Sequence, residues 1–240
     1  MKLTTVLFDL DGTLLPMDQD EFVKAYFGLL AAKLAPHGYD PKKLMDGVWK
    51  GTGAMIRNDG SKTNEDAFWQ VFTALFGDRV LEDKALFEEF YRTDFQKARS
   101  TCGFDPGAAE AILAIKALGL DTVLATNPIF PAVATESRIR WAGLAPEDFL
   151  LYTTYENSRY CKPNLDYYRE ILEKRNLRPE ECLMVGNDVS EDMVARELGM
   201  EVFLLPACLI NRENRDISCY PRGDFRDLVA CVESLVAERK

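Results

Sequence analysis

The chain has 240 residues, with 29 Lys+Arg against 39 Asp+Glu and a formal net charge of -10. At 47% hydrophobic and 28% charged it has the composition of a globular protein with a sizeable core, which excludes a disordered or collagen-like chain and leaves one large or two small domains open. The acidic balance, with no local basic patch to override it, speaks against nucleic acid and against an anionic membrane surface as partners.

In chain order, Leu3 to Leu10 (LTTVLFDL) is short, apolar and β-branched, as a buried parallel strand requires. From about Met17 to Arg99 no convincing strand occurs, and three apolar stripes predict helices: Phe22, Tyr26, Leu29 and Leu30; Phe68, Val71, Phe72 and Leu75; Leu86, Phe87, Phe90 and Tyr91. Between the first two lies a glycine-bearing stretch, Trp49-Lys50-Gly51-Thr52-Gly53 followed by Arg57 and Asp59-Gly60, which reads as an adaptable polar segment. Asp105 and Pro106 open a helix that Gly119 ends. Strands are then expected at Thr122 to Thr126, Phe149 to Thr153, Cys182 to Gly186 and Glu201 to Leu205, separated by helices at Pro131 to Ala142, Leu165 to Arg175 and Glu191 to Leu198. Phe225, Leu228, Val229, Val232, Leu235 and Val236 mark a last amphipathic helix. This alternation predicts an α/β fold, an open and mostly parallel Rossmann-like sheet with helices on both faces. The helical stretch reads as an insertion, giving a core of residues 1–15 and 104–240 and a helical subdomain of 16–103.

No run approaches the roughly 18 apolar residues of a membrane span, and Asp9 interrupts the first apolar run too early for a signal peptide, so a cytoplasmic location is expected. Six cysteines without CxxC spacing read as reduced thiols rather than a zinc site or a disulfide framework. The single histidine, His37, sits in a Pro-His-Gly turn and reads as a solvated loop residue.

Chemistry concentrates where the first strand ends, in Asp9-Leu10-Asp11-Gly12-Thr13. Period two in extended backbone sends both carboxylates to one side, and such a pair is held by a cation or shares a proton. An ordinary strand-to-turn Asp pair is the plainer alternative. Three further motifs follow in order: Thr126-Asn127 after TVLAT, Lys162-Pro163 ahead of a helix, and Gly186-Asn187-Asp188 with Asp192 four residues beyond. With these four motifs the sequence resembles the haloacid dehalogenase superfamily, across about residues 1–15 and 104–205, and the insertion after the first motif resembles that superfamily's first type of cap.

The resemblance implies a Mg²⁺-dependent phosphatase acting on a small phosphorylated metabolite. Asp9 would be the nucleophile that forms an aspartyl phosphate, and Asp11 the acid and base for the leaving oxygen and the water. Thr126, Gly12, Thr13 and backbone near Asn127 would meet the phosphate, and Lys162 would neutralise charge. Asp9, Asp188 and the main-chain carbonyl of Asp11 would be the protein's share of the Mg²⁺ ligands, with Asp192, or Glu191 beside it, supporting Lys162 or a metal-bound water. Lys50 and Arg57 from the cap and Arg212 from the last loop are candidate substrate contacts, against a plainer reading as solvated charges. A phosphomutase or phosphonate hydrolase is the alternative on this scaffold, and a noncatalytic phosphate-receiving or partner-binding module a more distant one. Dehalogenation fits less well, because the second Asp of the first motif is typically absent in that branch. Substrate identity and oligomeric state stay open.

Overall fold

The computed structural model describes residues 2–238. Four parallel strands, β1 (Thr5–Phe8), β2 (Asp121–Leu124), β3 (Cys182–Gly186) and β4 (Glu201–Leu204), lie in the order β2-β1-β3-β4. Period two divides their side chains. Val6, Phe8, Leu124, Leu183, Val185 and Phe203 enter one apolar cluster, while Leu7, Val123, Met184, Val202 and Leu204 enter another on the opposite face.

The helical stretch between β1 and β2 comprises α1 (Gln19–Leu34), α2 (Pro41–Ile56), α3 (Asn64–Phe76), α4 (Arg79–Glu82) and α5 (Lys84–Arg92), then a 3₁₀ segment Asp94–Thr101. Its two ends run together: Met17 bridges Cys102 antiparallel, and the Gly103 N–H donates to the Pro16 carbonyl at 2.7 Å. Beyond it come α6 (Pro106–Ala117), α7 (Ala132–Trp141), α8 (Leu165–Arg175) and α9 (Phe225–Glu238). Residues of α6, α7 and α9 pack on the first sheet face, those of α8 and of the 3₁₀ turn Met193–Leu198 on the second. Asp105 caps α6 by accepting from the Gly107 N–H, and Gly119 follows that helix at φ +80°.

The structure departs from the sequence reading at four places. Phe149 to Thr153 runs beside β2 with three backbone hydrogen bonds but makes one parallel bridge, Leu124 to Tyr152, and no regular strand, since β2 ends at Leu124 and by Tyr155 the chain pairs with Phe130 instead. Glu191 to Leu198 forms 3₁₀ turns over Met193–Leu198 instead of an α-helix. On α3 the inward side is carried by Ala67, Trp69 and Phe72, with Leu75 left 45% exposed.

The fourth concerns the supposed polar segment: residues 49–56 are the last turns of α2. Gly47 and Gly51, four residues apart, are buried on one side of that helix, where a Cβ would stand 2.6 Å from the Phe76 ring and 2.5 Å from Phe68. These glycines allow α2 and α3 to approach closely.

Candidate active site

With β2 on one side of β1 and β3 on the other, the chain reverses direction across the sheet at the carboxyl ends of β1 and β3. Ligands of open α/β sheets bind at such a point. Asp9 follows β1 directly, its N–H donating to the Val185 carbonyl of β3 at 2.9 Å. A cleft of about 350 Å³ opens there, lined among others by Asp9, Asp11, Thr126, Asn127, Asp188 and Arg212.

The buried ammonium of Lys162 links two carboxylates, donating to Asp9 Oδ1 at 2.9 Å and Asp192 Oδ1 at 2.6 Å. Burial alone would lower the Lys162 pKa, but Asp192 and Asp9 hold it well above the ordinary lysine value. Burial raises the Asp192 carboxyl, against the lowering pull of Lys162. Asp192 Oδ2 accepts the Asp188 N–H at 2.9 Å, so both of its oxygens are engaged within the protein. Of the roles expected for Asp192 at the metal site, the contacts are those of a support for Lys162 and not of a metal ligand: it anchors Lys162 and shapes the turn that carries Asp188. Gly186 leaves the space Asp192 occupies, since a Cβ there would meet the Asp192 carboxylate.

Thr13 donates toward Asp9 Oδ2 at 3.2 Å and Asn187 Oδ1 at 2.9 Å, which ties the first motif to the fourth. Gly12, at φ +86°, is needed both for that backbone conformation and because a Cβ would strike the Asn187 amide. Gly12 and Thr13 thus shape the site from behind and do not line the cleft. Asp188 Oδ1 accepts the Ser190 and Glu191 N–H groups at 2.7 and 2.9 Å. Asn127 donates to Glu191 Oε2 at 3.0 Å, and burial first, then the nearby Asp192, Asp188 and Asp9, lift Glu191 to about 7 despite Lys162. The buried Thr126 sits at the cleft with its carbonyl accepting from the hydroxyls of Thr153 and Tyr167.

Asp11 has a partner that motif reading missed. Arg138 on α7 is 1% exposed, donates through Nη1 to Asp11 Oδ2 and stacks 4.4 Å from the Phe130 ring centre. Burial raises the Asp11 pKa, Arg138 lowers it and Asp9 raises it, with a raised value as the net direction. Asp11 Oδ1 is buried with no hydrogen-bond partner. The available signal was the spacing Ala134, Arg138, Ala142, which sets an arginine on the buried stripe of a helix, where it requires an acidic partner.

Lys50 and Arg57 do not line the cleft. Lys50 lies along a separate groove with His37 and Tyr39, and Arg57 is exposed with its guanidinium beside Gly53. Arg212 does reach the rim.

The donor set available to a cation at this cleft is all oxygen, from Asp9, Asp188 and the backbone, as a hard divalent ion prefers. Among the described residues no three His, Cys, Asp or Glu side chains converge in a ready-made metal cage. The fit to Mg²⁺ is thus that of a site with two carboxylates, completed by a backbone carbonyl, water and substrate oxygens. Unpartnered buried oxygens of Asp11 and Asn127 beside the same cleft agree with a ligand that supplies the missing contacts.

The family model of haloacid dehalogenase-like hydrolases matches residues 3–199. No curated protein matches the chain. Among solved structures, a phosphatase of that group from Thermococcus onnurineus is 19% identical, covers 97% of this chain and 98% of its own, and has a TM-score of 0.56. A 2-haloacid dehalogenase from Pseudomonas syringae pv. Tomato is 18% identical over 99% and 100% of the two chains, with a TM-score of 0.62. A putative hydrolase from Bacillus subtilis bound to magnesium is 17% identical over 97% and 99%, with a TM-score of 0.55. At these identities the likeness is one of fold. Among the described residues no helix is long and apolar enough to cross a membrane.

Proposed function

Because the chain belongs to the haloacid dehalogenase-like hydrolases, we propose that it is a Mg²⁺-dependent phosphatase that hydrolyses a small phosphate monoester through a phosphorylated Asp9. The observation that carries this reading is the second carboxylate. Displacing a halide leaves a stable anion that needs no proton, whereas expelling an alkoxide from a phosphate ester needs an acid. Asp11 supplies one in the same cleft as Asp9, with one oxygen held by Arg138 and the other without a partner.

In this reading Asp9 attacks phosphorus and displaces the alcohol, whose oxygen takes the proton of Asp11. The Asp11 carboxylate then accepts a proton from the water that cleaves the aspartyl phosphate. Lys162 and Thr13 fix the two Asp9 oxygens before attack, and Lys162 offsets the negative charge gathered there. The hydroxyl of Thr126 and the backbone near Asn127 would hold the phosphate oxygens. Bound Mg²⁺, held by Asp9, Asp188 and the Asp11 carbonyl, would neutralise phosphate charge and so ease the approach of a carboxylate nucleophile. The helical stretch 16–103 acts as a cap that excludes water, and the paired segments at Met17 and Cys102 are its hinges.

The test measures phosphate release from a panel of monoesters and chloride release from 2-chloropropionate, each with Mg²⁺ and with excess EDTA. Phosphate release that EDTA abolishes and Mg²⁺ restores is expected. Chloride release unaffected by EDTA, without ester hydrolysis, would replace this reading by dehalogenation.

A further inference from the structure

A second cavity, of about 120 Å³, lies between the helical stretch and Ile129, Phe130, Pro131 and Tyr155 of the core. Tyr26, Phe27, Val48, Phe68, Trp69 and Phe87 make its wall mainly apolar, with Glu65, Lys84 and Glu88 also in the lining. It is not a remote packing defect, because Val23, Ile129 and Phe130 line both this cavity and the catalytic cleft. A molecule bound at Asp9 therefore has, one residue layer away, a space suited to a ring. An engineered apolar cavity of roughly 150 Å³ holds benzene, so this one matches a single six-membered ring or a branched chain of similar size.

Two further observations point to a ligand. The Trp69 indole N–H is buried without a hydrogen-bond partner, which leaves a donor over for an incoming oxygen. Trp49, 54% exposed, stands 5.3 Å from Phe27 at the edge of the cavity, a large apolar surface left in water. The partition is tied to the leaving-group acid, because Phe130 stacks on Arg138 and Arg138 is paired with Asp11.

We propose that this aromatic cavity receives the leaving-group side of the substrate, and that the preferred substrate is the phosphate monoester of an arylalkyl alcohol, of benzyl size. The proposal rests on the phosphatase reading above. Sugar phosphates suit it less well, since most of their several hydroxyl groups would lose water against a wall made mainly of rings and aliphatic side chains. An apolar ring would gain transition-state binding from the same wall.

The experiment compares kcat/KM for methyl, butyl and benzyl phosphate, and separately measures binding of benzyl alcohol, which has no phosphate, by tryptophan fluorescence. Benzyl phosphate should exceed methyl phosphate by roughly 10- to 100-fold, the range that burial of one apolar side-chain equivalent gives. Val48→Phe, which fills the cavity, should erase that preference, read as the ratio of kcat/KM for benzyl to methyl phosphate, and the benzyl alcohol signal. Thr52→Leu narrows the same cavity from another position and serves if Val48→Phe does not fold. Hydrolysis of all three esters at equal kcat/KM, with no benzyl alcohol binding, would overturn the subsite and leave the phosphatase reading intact. Benzyl alcohol binding without hydrolysis of any ester would overturn the phosphatase reading instead, and the leaving-group assignment with it.

Discussion

The floor of the cleft and the helical stretch above it are built on opposite principles. At the floor, Asp192, Lys162, Asp9, Thr13 and Asn187 form a continuous chain of charged and polar contacts, each side chain held by at least one other. In the helical stretch the order comes from aromatic rings, with Tyr26, Phe90 and Phe95 meeting one another and Phe130 of the core edge to face or tilted at 5.5 to 6.4 Å between ring centres. The first arrangement tolerates little change because a buried charge without its partner is costly. The second is set by volume, so it can be reshaped, and it is where specificity can vary while the reaction stays the same.

The sharpest way to break that comparison is to alter the floor. Asp9→Asn keeps the shape and the contact with Lys162 but removes the nucleophile, and hydrolysis of acetyl phosphate should fall by about 10⁴-fold or more, with no phosphorylated protein detected. Retention of more than a hundredth of the activity would show that phosphoryl transfer does not pass through Asp9.

Next in size is the Arg138 to Asp11 pair. Arg138→Met leaves a largely buried carboxylate without its counter-charge and should cost about 3 kcal/mol in urea unfolding. Asp11→Asn should cost much less in the Arg138→Met background than in the natural protein, because the partner it would lose is already gone. Additive losses would mean that the two side chains do not depend on each other.

The helical stretch calls for a volume test. In an exposed helix Gly→Ala stabilises by about 1 kcal/mol. At Gly51 the sign should reverse, since the new methyl group would stand 2.5 Å from Phe68 in a packed interface, and overpacking costs about 1–3 kcal/mol. Thermal unfolding of Gly51→Ala decides the matter, and acetyl phosphate turnover at 20 °C should stay near that of the natural protein. A stabilised Gly51→Ala would mean that α2 and α3 have slack between them.

The same contrast explains what could be read in the sequence. Strands β1 to β4 were legible from period two and buried apolar runs, which are local signals, and the order of the four motifs pointed to Asp9, Asp11, Lys162 and Asp188, which the fold brings to one end of the sheet. Arg138 was not legible. Its meaning depends on a carboxylate 127 residues earlier in the chain, and no local pattern records that proximity. Residues 49–56 misled in a different way: glycine is permissive in turns, but Gly47 and Gly51 answer to the rings of α3, a tertiary demand that overrides the local preference. The edge at Phe149 to Thr153 had the composition of a strand and does run beside β2, but its pairing there is limited to three backbone hydrogen bonds and one bridge.

The smallest expected effect belongs to Lys50 and Arg57, which the sequence offered as cap contacts to the substrate. Both are exposed, Lys50 beside a separate groove and Arg57 at the end of α2, and neither lines the cleft or the aromatic cavity. An exposed charge in water has little to lose, so Lys50→Ala and Arg57→Ala should each change stability by no more than about 0.5 kcal/mol. Both should leave the order of preference among methyl, butyl and benzyl phosphate untouched, whereas Val48→Phe, a substitution two residues from Lys50 on the same helix, should reorder it. That pairing separates closeness in the chain from closeness to the ligand. If either charged residue shifts the ranking and Val48→Phe does not, the helical stretch must close far enough during turnover to bring the end of α2 over the cleft, and recognition would then be electrostatic.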